Sequence, residues 1–166
     1  MKSLVIFSSA NPKGNTAKLI EHLATNIDLE IINLDQCKIS PYRYDNKYED
    51  DDFYKIFEKI LESDNLIFAS PTYWYSVTAP MKAFFDRMTE LTDKAELKPK
   101  ARALAYKRAF ILTTSGRNQI CPIFETFFVE ICKYFKMEYR SSLHAKKDEI
   151  NLQEISQFAS SLKSLG

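Results

Sequence analysis

Short, nearly continuous apolar runs alternate along this chain with stretches whose apolar residues recur at helical spacing, and that alternation admits few folds. Leu4-Val5-Ile6-Phe7 leads through a polar loop, Ser8 to Thr16, into Ala17, Ile20, Leu23, Ala24 and Ile27 on one helical face. Leu29 to Leu34 reads as a second strand. Beyond a polar, tyrosine-rich connection, residues 35–50, Phe53, Ile56, Phe57, Ile60 and Leu61 read as a second helix. Leu66-Ile67-Phe68-Ala69 is a third strand. Met81, Phe84, Phe85, Met88 and Leu91 mark a third helix, with Pro80 tolerated in its first turn. Residues 92–106, charged and rich in lysine and alanine, predict a surface connection. Phe110-Ile111-Leu112-Thr113 is the fourth strand, and Phe124, Phe127, Phe128, Ile131 and Phe135 mark the fourth helix. Tyr139, Ser141 and Leu143 alternate weakly as a fifth strand, before a last helix with Ile155, Phe158, Ala159, Leu162 and Leu165.

Such a βαβα succession predicts a parallel sheet with helices on both faces, a three-layer α/β/α sandwich. Strands one, three and four are apolar throughout, as strands covered on both sides must be, whereas strands two and five are mixed and suit the edges. The strand order that follows is 2-1-3-4-5, with a ligand crevice beyond the carboxyl ends of the first and third strands. All 166 residues fit one domain.

Three strand-to-helix loops, those after the first, third and fourth strands, carry the chemistry. In the first, Ser9, Asn11, Lys13, Gly14, Asn15 and Thr16 gather hydroxyls, amides and a cation where a helix begins, and unpaired backbone N–H groups there suit a phosphate. Pro12 and Gly14 interrupt regular structure, and Asn15 or Thr16 is expected to cap the helix. The second loop, Pro71-Thr72-Tyr73-Trp74-Tyr75-Ser76, holds the only tryptophan between two tyrosines, a surface on which a planar ring can stack. The third, Thr114-Ser115-Gly116, adds hydroxyls and a flexible backbone. The chain has three glycines, where average usage of about 7% gives roughly a dozen. The internal two, Gly14 and Gly116, are expected where a turn or a close ligand requires them.

Together the three loops resemble the flavodoxin-like NAD(P)H-dependent FMN, quinone and nitro reductases and their iron–sulfur flavoprotein relatives. Ser9, Gly14, Asn15 and Thr16 match the family's Gly-Ser-Pro-Arg-Lys-Gly-Gly-Asn-Thr phosphate loop. The stretch from Ser70 to Arg87, with Pro71, Tyr73, Pro80, Lys82, Phe85, Asp86 and Arg87, is similar to its Pro-x-Tyr … Pro-x-x-Leu-Lys-x-Phe-Asp-Arg segment. The likeness runs from about residue 1 to residue 145. It departs at Asn11, where the family has arginine, and at Ser8 and Lys13, where it has glycine. Cys37 also stands alone where the cluster-bearing relatives have closely spaced cysteines, so an iron–sulfur cluster is not implied.

What the resemblance implies is a flavodoxin-like fold, bound FMN, and NADH or NADPH as electron donor. A small acceptor (a quinone, a nitro compound or a flavin) would be reduced in a ping-pong cycle. It implies a cofactor site made of the fifteen loop residues named above and no catalytic acid or base from the protein. Phe124, Phe127, Phe128, Val129, Ile131, Tyr134 and Phe135 are more large apolar residues than one buried helix face needs, and with the resemblance they predict a homodimer. His22 and His144 read as structural or surface residues, and Asp86 with Arg87 as a packing or subunit-contact pair.

Composition bounds the alternatives. A net charge of +1 with scattered basic residues argues against nucleic acid, and also against a strongly acidic electron carrier. Cys37, Cys121 and Cys132 have no C-x-x-C spacing, so neither a disulfide framework nor a metal site is indicated. No signal peptide or membrane-length apolar run is present, and a cytoplasmic location is expected. A flavodoxin-type carrier or a fold relative without flavin would share the sheet pattern. Cys37 to Arg43 satisfies the C-x5-R spacing of phosphatases. It follows the second strand, contains Pro41 and opens no helix, so the surroundings that activate such a thiol are missing.

Overall fold

The computed structural model describes residues 1–164. Five strands, β1 (Ser3–Phe7), β2 (Glu30–Asn33), β3 (Asn65–Pro71), β4 (Arg108–Ser115) and β5 (Glu138–Lys146), form one parallel sheet. Their order is β2-β1-β3-β4-β5, as the hydrophobic pattern predicts. The helices are α1 (Asn15–Ala24), α2 (Phe53–Leu61), α3 (Ala79–Arg87), α4 (Glu90–Asp93), α5 (Lys98–Arg102), α6 (Pro122–Phe135) and α7 (Leu152–Lys163).

Alternation along the inner strands divides the core in two. Leu4 and Ile6 of β1 join Phe68, Phe53, Phe57, Phe84, Phe124 and Phe128 beneath α2, α3 and α6. Val5 and Phe7 point the other way, joining Ile67, Phe110, Leu112, Leu19, Leu23 and Phe158 beneath α1 and α7. Both faces of β1, β3 and β4 are therefore dry, which is why these strands read as unbroken apolar runs. Glu30 to Asn33 of β2 are at most partly buried, and β5 has one buried residue, Leu143, consistent with their edge positions.

Several expectations need correcting. The second strand stops at Asn33, because Leu34 opens a one-turn 3-10 segment whose Asp35 amide is held by the Asn33 side chain. The third helical pattern is not one helix: α3 ends at Arg87 and α4 follows after a turn, though Met88 and Leu91 stay buried. Residues 92–106 are more than a surface connection, for Leu104 is fully buried and Leu97 and Ala101 pack on the core. Their spacing gives α5 and its flanks an apolar side that the surrounding lysines obscure. Neither internal glycine has a positive φ, so no left-handed turn demands one. The last helix ends at Lys163, and Leu165 lies outside the described residues. No helix among the described residues is long and apolar enough to cross a membrane.

Candidate functional site

The parallel register sets the carboxyl ends of β1, β3 and β4 side by side, with Phe7 opposite Ala69 and Pro71 opposite Thr114. The loops leaving these ends enclose a crevice of about 470 Å³. Twelve of the fifteen residues expected at the site line it: Ser9, Asn11, Lys13, Gly14, Asn15, Thr16, Pro71, Thr72, Tyr73, Thr114, Ser115 and Gly116. Lys18, Lys147 and Asp148 line it too, and sequence reasoning missed them. Lys18 was detectable as the residue one helical turn after Gly14.

Asn11 is the hub of the first loop. Its side-chain oxygen accepts from the Lys13 amide (3.1 Å) and its carbonyl from the Gly14 amide (3.0 Å). A Cβ on Gly14 would lie 3.1 Å from that carbonyl oxygen and 3.2 Å from the Asn11 Cβ, so the glycine is explained by close packing. Asn15 and Thr16 do not cap the helix as expected. Gly14 occupies the N-cap, no side chain caps it, and the first turn contains no acidic residue. Thr16 lies inside the turn, and its hydroxyl meets that of Thr114 at 2.7 Å, linking the first loop to the third. The leading amides of α1 thus lack a side-chain acceptor at the positive end of the helix dipole.

Hydroxyl contacts fix the floor. Thr78 donates to the Ser8 hydroxyl (2.5 Å), and the Thr72 and Thr113 hydroxyls lie 3.2 Å apart. The aromatic loop is a tight hairpin in which Tyr73 and Ser76 exchange backbone hydrogen bonds of 2.9 and 3.0 Å. Trp74 and Tyr75 form its tip with φ of 48° and 68°, the left-handed pair that a type I′ turn requires and that costs non-glycine residues roughly 1 kcal/mol or more each. Trp74 is 94% exposed, and Trp74, Tyr75 and Ser76 stand outside the crevice lining. In the third loop the Ser115 hydroxyl lies 2.9 Å from His144 Nε2 and accepts from the Arg117 amide (3.1 Å). Burial pushes the His144 ring below its ordinary pKa, with Glu154 opposing the shift. Nothing lies within 4 Å of a Cβ built on Gly116, so neither packing nor φ explains that glycine.

Cys37 and Arg43 form no phosphatase cradle. The Cys37 thiol donates to the Asn33 carbonyl (3.3 Å) after a 3-10 turn, not at a helix N-terminus. Burial, reinforced by the Asp52 carboxylate, pushes its pKa up, which suppresses the nucleophilic thiolate. The Arg43 fork is spent on Asp45, at 3.1 and 2.8 Å. Iodoacetamide at pH 7.5 is therefore expected to alkylate Cys37 at least tenfold more slowly in the native protein than in the urea-unfolded chain. Equal rates, read by mass spectrometry, would contradict the geometry. Among the described residues no three His, Cys, Asp or Glu side chains gather to hold a metal.

One cluster was read wrongly from sequence. Asp86 does not partner Arg87; it pairs with Lys82 (2.5 Å). Arg87 is fully buried, bonding Asp51 (2.6 Å), Glu90 (2.7 Å) and the Ser40 carbonyl (3.2 Å), with its guanidinium 3.5 Å from the Tyr48 ring centroid. Glu90, equally buried, also accepts from Tyr54 (2.6 Å) and Lys94 (3.0 Å). The clue was Arg87 lying between Phe84 and Leu91 on the apolar stripe, with a carboxylate three residues on. This network ties the segment from Ser40 to Asp51 onto α3 and holds one wall beside the sheet.

A doubly wound parallel sheet whose loops after β1, β3 and β4 close on a hydroxyl-lined cleft defines a mononucleotide-binding flavodoxin-like protein. Residues 1–121 match the family model described as NADPH-dependent FMN reductase, and the chain belongs to that family of FMN-dependent oxidoreductases. It is 30% identical over 125 residues to a Bacillus subtilis protein named as the NAD(P)H-dependent FMN-containing oxidoreductase YwqN, covering 71% of this chain and 68% of that one. It also matches iron–sulfur flavoproteins of Archaeoglobus fulgidus, of which it spans about half the length. Among solved structures, the Trp repressor binding protein of Bacillus subtilis shares the fold with a TM-score of 0.75 at 21% identity, covering 99% of both chains. The FMN complex of general stress protein 14 from Treponema denticola aligns with a TM-score of 0.66 at 17% identity, over 98% of this chain and 97% of that one.

Proposed function

We propose that the crevice between the loops after β1, β3 and β4 holds FMN and that the protein passes reducing equivalents from NADH or NADPH to a small acceptor, a quinone, nitro compound or flavin, by a ping-pong cycle. The observation carrying this reading is the uncapped amino end of α1, opening into a cleft that Ser9, Asn11, Thr16 and Lys13 line. Its unpaired amides, cation and lack of a first-turn carboxylate match a phosphate dianion. FMN held there would supply the redox chemistry, hydride transfer between nicotinamide and acceptor.

The chain's own residues bind and orient. Ser9, Asn11, Asn15 and Thr16 would hold the phosphate, with Lys13, Lys18 and Lys147 near enough to balance its charge. Pro71, Thr72 and Tyr73 would border the ring, and Thr114, Ser115 and Gly116 another edge. Trp74, Tyr75 and Ser76, on the hairpin tip, would border the open side where donor and acceptor take turns. No carboxylate or histidine is assigned a proton-transfer role. Titrating flavin fluorescence against protein tests the placement: FMN is expected to bind at least thirtyfold more tightly than riboflavin, and equal affinities would contradict it.

The same reading includes a homodimer. Half-buried Phe127, Ile131 and Phe135, with Tyr134 at 68% exposure, line an apolar groove against Phe85 and Met88 between α3 and α6. Beside the groove Glu130 and Lys133 pair with each other at 2.5 Å, which leaves the apolar side chains as the surface a two-fold-related copy would cover. Sedimentation is expected to give twice 19.3 kDa at micromolar concentration, and Ile131→Asp a monomer that still binds FMN. A monomeric wild type would contradict the dimer alone. The unpaired thiols Cys37, Cys121 and Cys132 suit a protein at work in the cytoplasm.

A further inference from the structure

We propose that His144 is a positioning residue that, through the Ser115 hydroxyl, sets whether the third loop donates a hydrogen bond into the crevice. This rests on the crevice being the FMN site. The geometry is a relay. Ser115 lines the cleft, and its oxygen lies 2.9 Å from His144 Nε2 while accepting from the Arg117 amide at 3.1 Å. His144 sits on β5 opposite Thr113, one strand over, and is itself outside the cleft lining.

A serine hydroxyl has one hydrogen to give. With the neutral imidazole in its Nδ1–H tautomer, the bare Nε2 accepts that hydrogen while the Arg117 amide donates to the same oxygen. A protonated imidazole carries hydrogen on both nitrogens and can only donate. The Ser115 oxygen then accepts from both Arg117 and His144, and its own hydrogen must turn away, toward whatever fills the cleft. Protonating His144 thereby adds one donor to the crevice without moving the backbone.

The groups around the ring are mixed. Lys146 of β5 and Asp148 and Glu149 of the turn that follows line the same cavity as His144, with Lys146 and Glu149 paired at 3.1 Å, while the Arg117 guanidinium lies over the Tyr75 ring, 5.7 Å from its centroid. Glu154 of α7 borders the same cavity as His144 and favours its cation, although Asn151 holds that carboxylate at 3.0 Å. On the α6 side, Glu125 is engaged by Tyr139 (2.5 Å) and Ser142 (2.9 Å). Burial works against the cation, so the ring is neutral at pH 8 and gains its proton only below the ordinary imidazole range.

One added hydrogen bond of ordinary net strength corresponds to roughly two- to tenfold in affinity. Wild type should bind FMN about fivefold more tightly below the His144 midpoint than at pH 8, over and above any trend from the ligand's own phosphate. That trend is common to all variants and is subtracted using His144→Gln, which keeps the Ser115 hydroxyl but has no imidazole to titrate. Ser115→Ala should match that baseline, and His22→Gln should keep the extra step. By linkage, FMN must raise the proton affinity of His144 by the same factor. Imidazole NMR reads this directly, since the chain has only two histidines. In ligand-free protein, Ser115→Ala should also shift the His144 midpoint.

A step that survives in Ser115→Ala, or a His144 midpoint unmoved by bound FMN, would overturn the relay while leaving the FMN site intact. Failure of wild type to bind FMN at any pH would overturn the site itself, and the relay with it. If Ser115→Ala does not fold, the wild-type NMR titration with and without FMN decides alone.

Discussion

Arg87→Met is expected to destabilise the protein by about 3–5 kcal/mol, the usual cost of stranding buried carboxylates without their cation. Arg87, Asp51 and Glu90 are essentially excluded from solvent, so water cannot replace the guanidinium. Lys94 still reaches Glu90, but Asp51 is left with only the backbone amides of Ser40 and Phe53. The variant should also be more acid-sensitive. Burial by itself would raise the Asp51 pKa; the Ser40 amide, Arg87 and the Phe53 amide more than offset it, and the net shift is downward. A carboxyl whose native pKa is depressed contributes stability above its unfolded value, near 4, and loses it as pH falls through the native one. Removing Arg87 raises that native value, so acid unfolding should begin at higher pH than in wild type. Urea unfolding at pH 7 and at pH 4 measures both effects. A loss under 1 kcal/mol at pH 7 would mean the cluster is not the tie that its geometry describes.

Asn15→Asp should separate stability from binding. The new carboxylate is nearly isosteric and sits in the first turn of α1, where no side chain now caps the helix and no acidic residue lies. Interaction with the helix dipole should make the FMN-free protein more stable by about 0.3–1 kcal/mol. The same charge stands where a phosphate dianion is proposed to bind. Two like charges about 4 Å apart near a protein surface repel by up to ~4 kcal/mol, and with screening at least ~2 kcal/mol should remain. FMN affinity should therefore fall at least thirtyfold while riboflavin binding barely changes. An Asn15→Asp protein that binds FMN as wild type does would remove the phosphate from the amino end of α1. A variant merely unfolded would lose stability rather than gain it, so thermal melts distinguish the two.

The sheet was legible in the sequence because burial on both faces writes unbroken apolar runs at β1, β3 and β4, and mixed ones at the edges. The position of the crevice followed from that order, since βα loops of a doubly wound sheet meet at its carboxyl ends. What was not legible depended on partners distant in the chain. Asp51 stands in the acidic stretch Glu49 to Asp52 with no local sign of its partner, and Arg87 read as the partner of Asp86, yet the two meet across thirty-six residues. Lys147 and Asp148 reach the crevice only because β5 lies beside β4. Thr16 read as a helix cap because the local pattern allows it, whereas its hydroxyl is drawn to Thr114, ninety-eight residues away. The hairpin at Trp74 and Tyr75 escaped notice because turns of that type usually announce themselves with Asn-Gly, and here two aromatics adopt the left-handed pair.

The most direct test of the account is an absorbance spectrum of the purified protein after FMN has been added and the excess removed, repeated after NADH or NADPH under argon. The account predicts flavin absorbance that stays with the protein, bleaches on adding the nicotinamide, and returns when a quinone is supplied. A colourless protein, or a bound flavin that neither nucleotide bleaches, would contradict it.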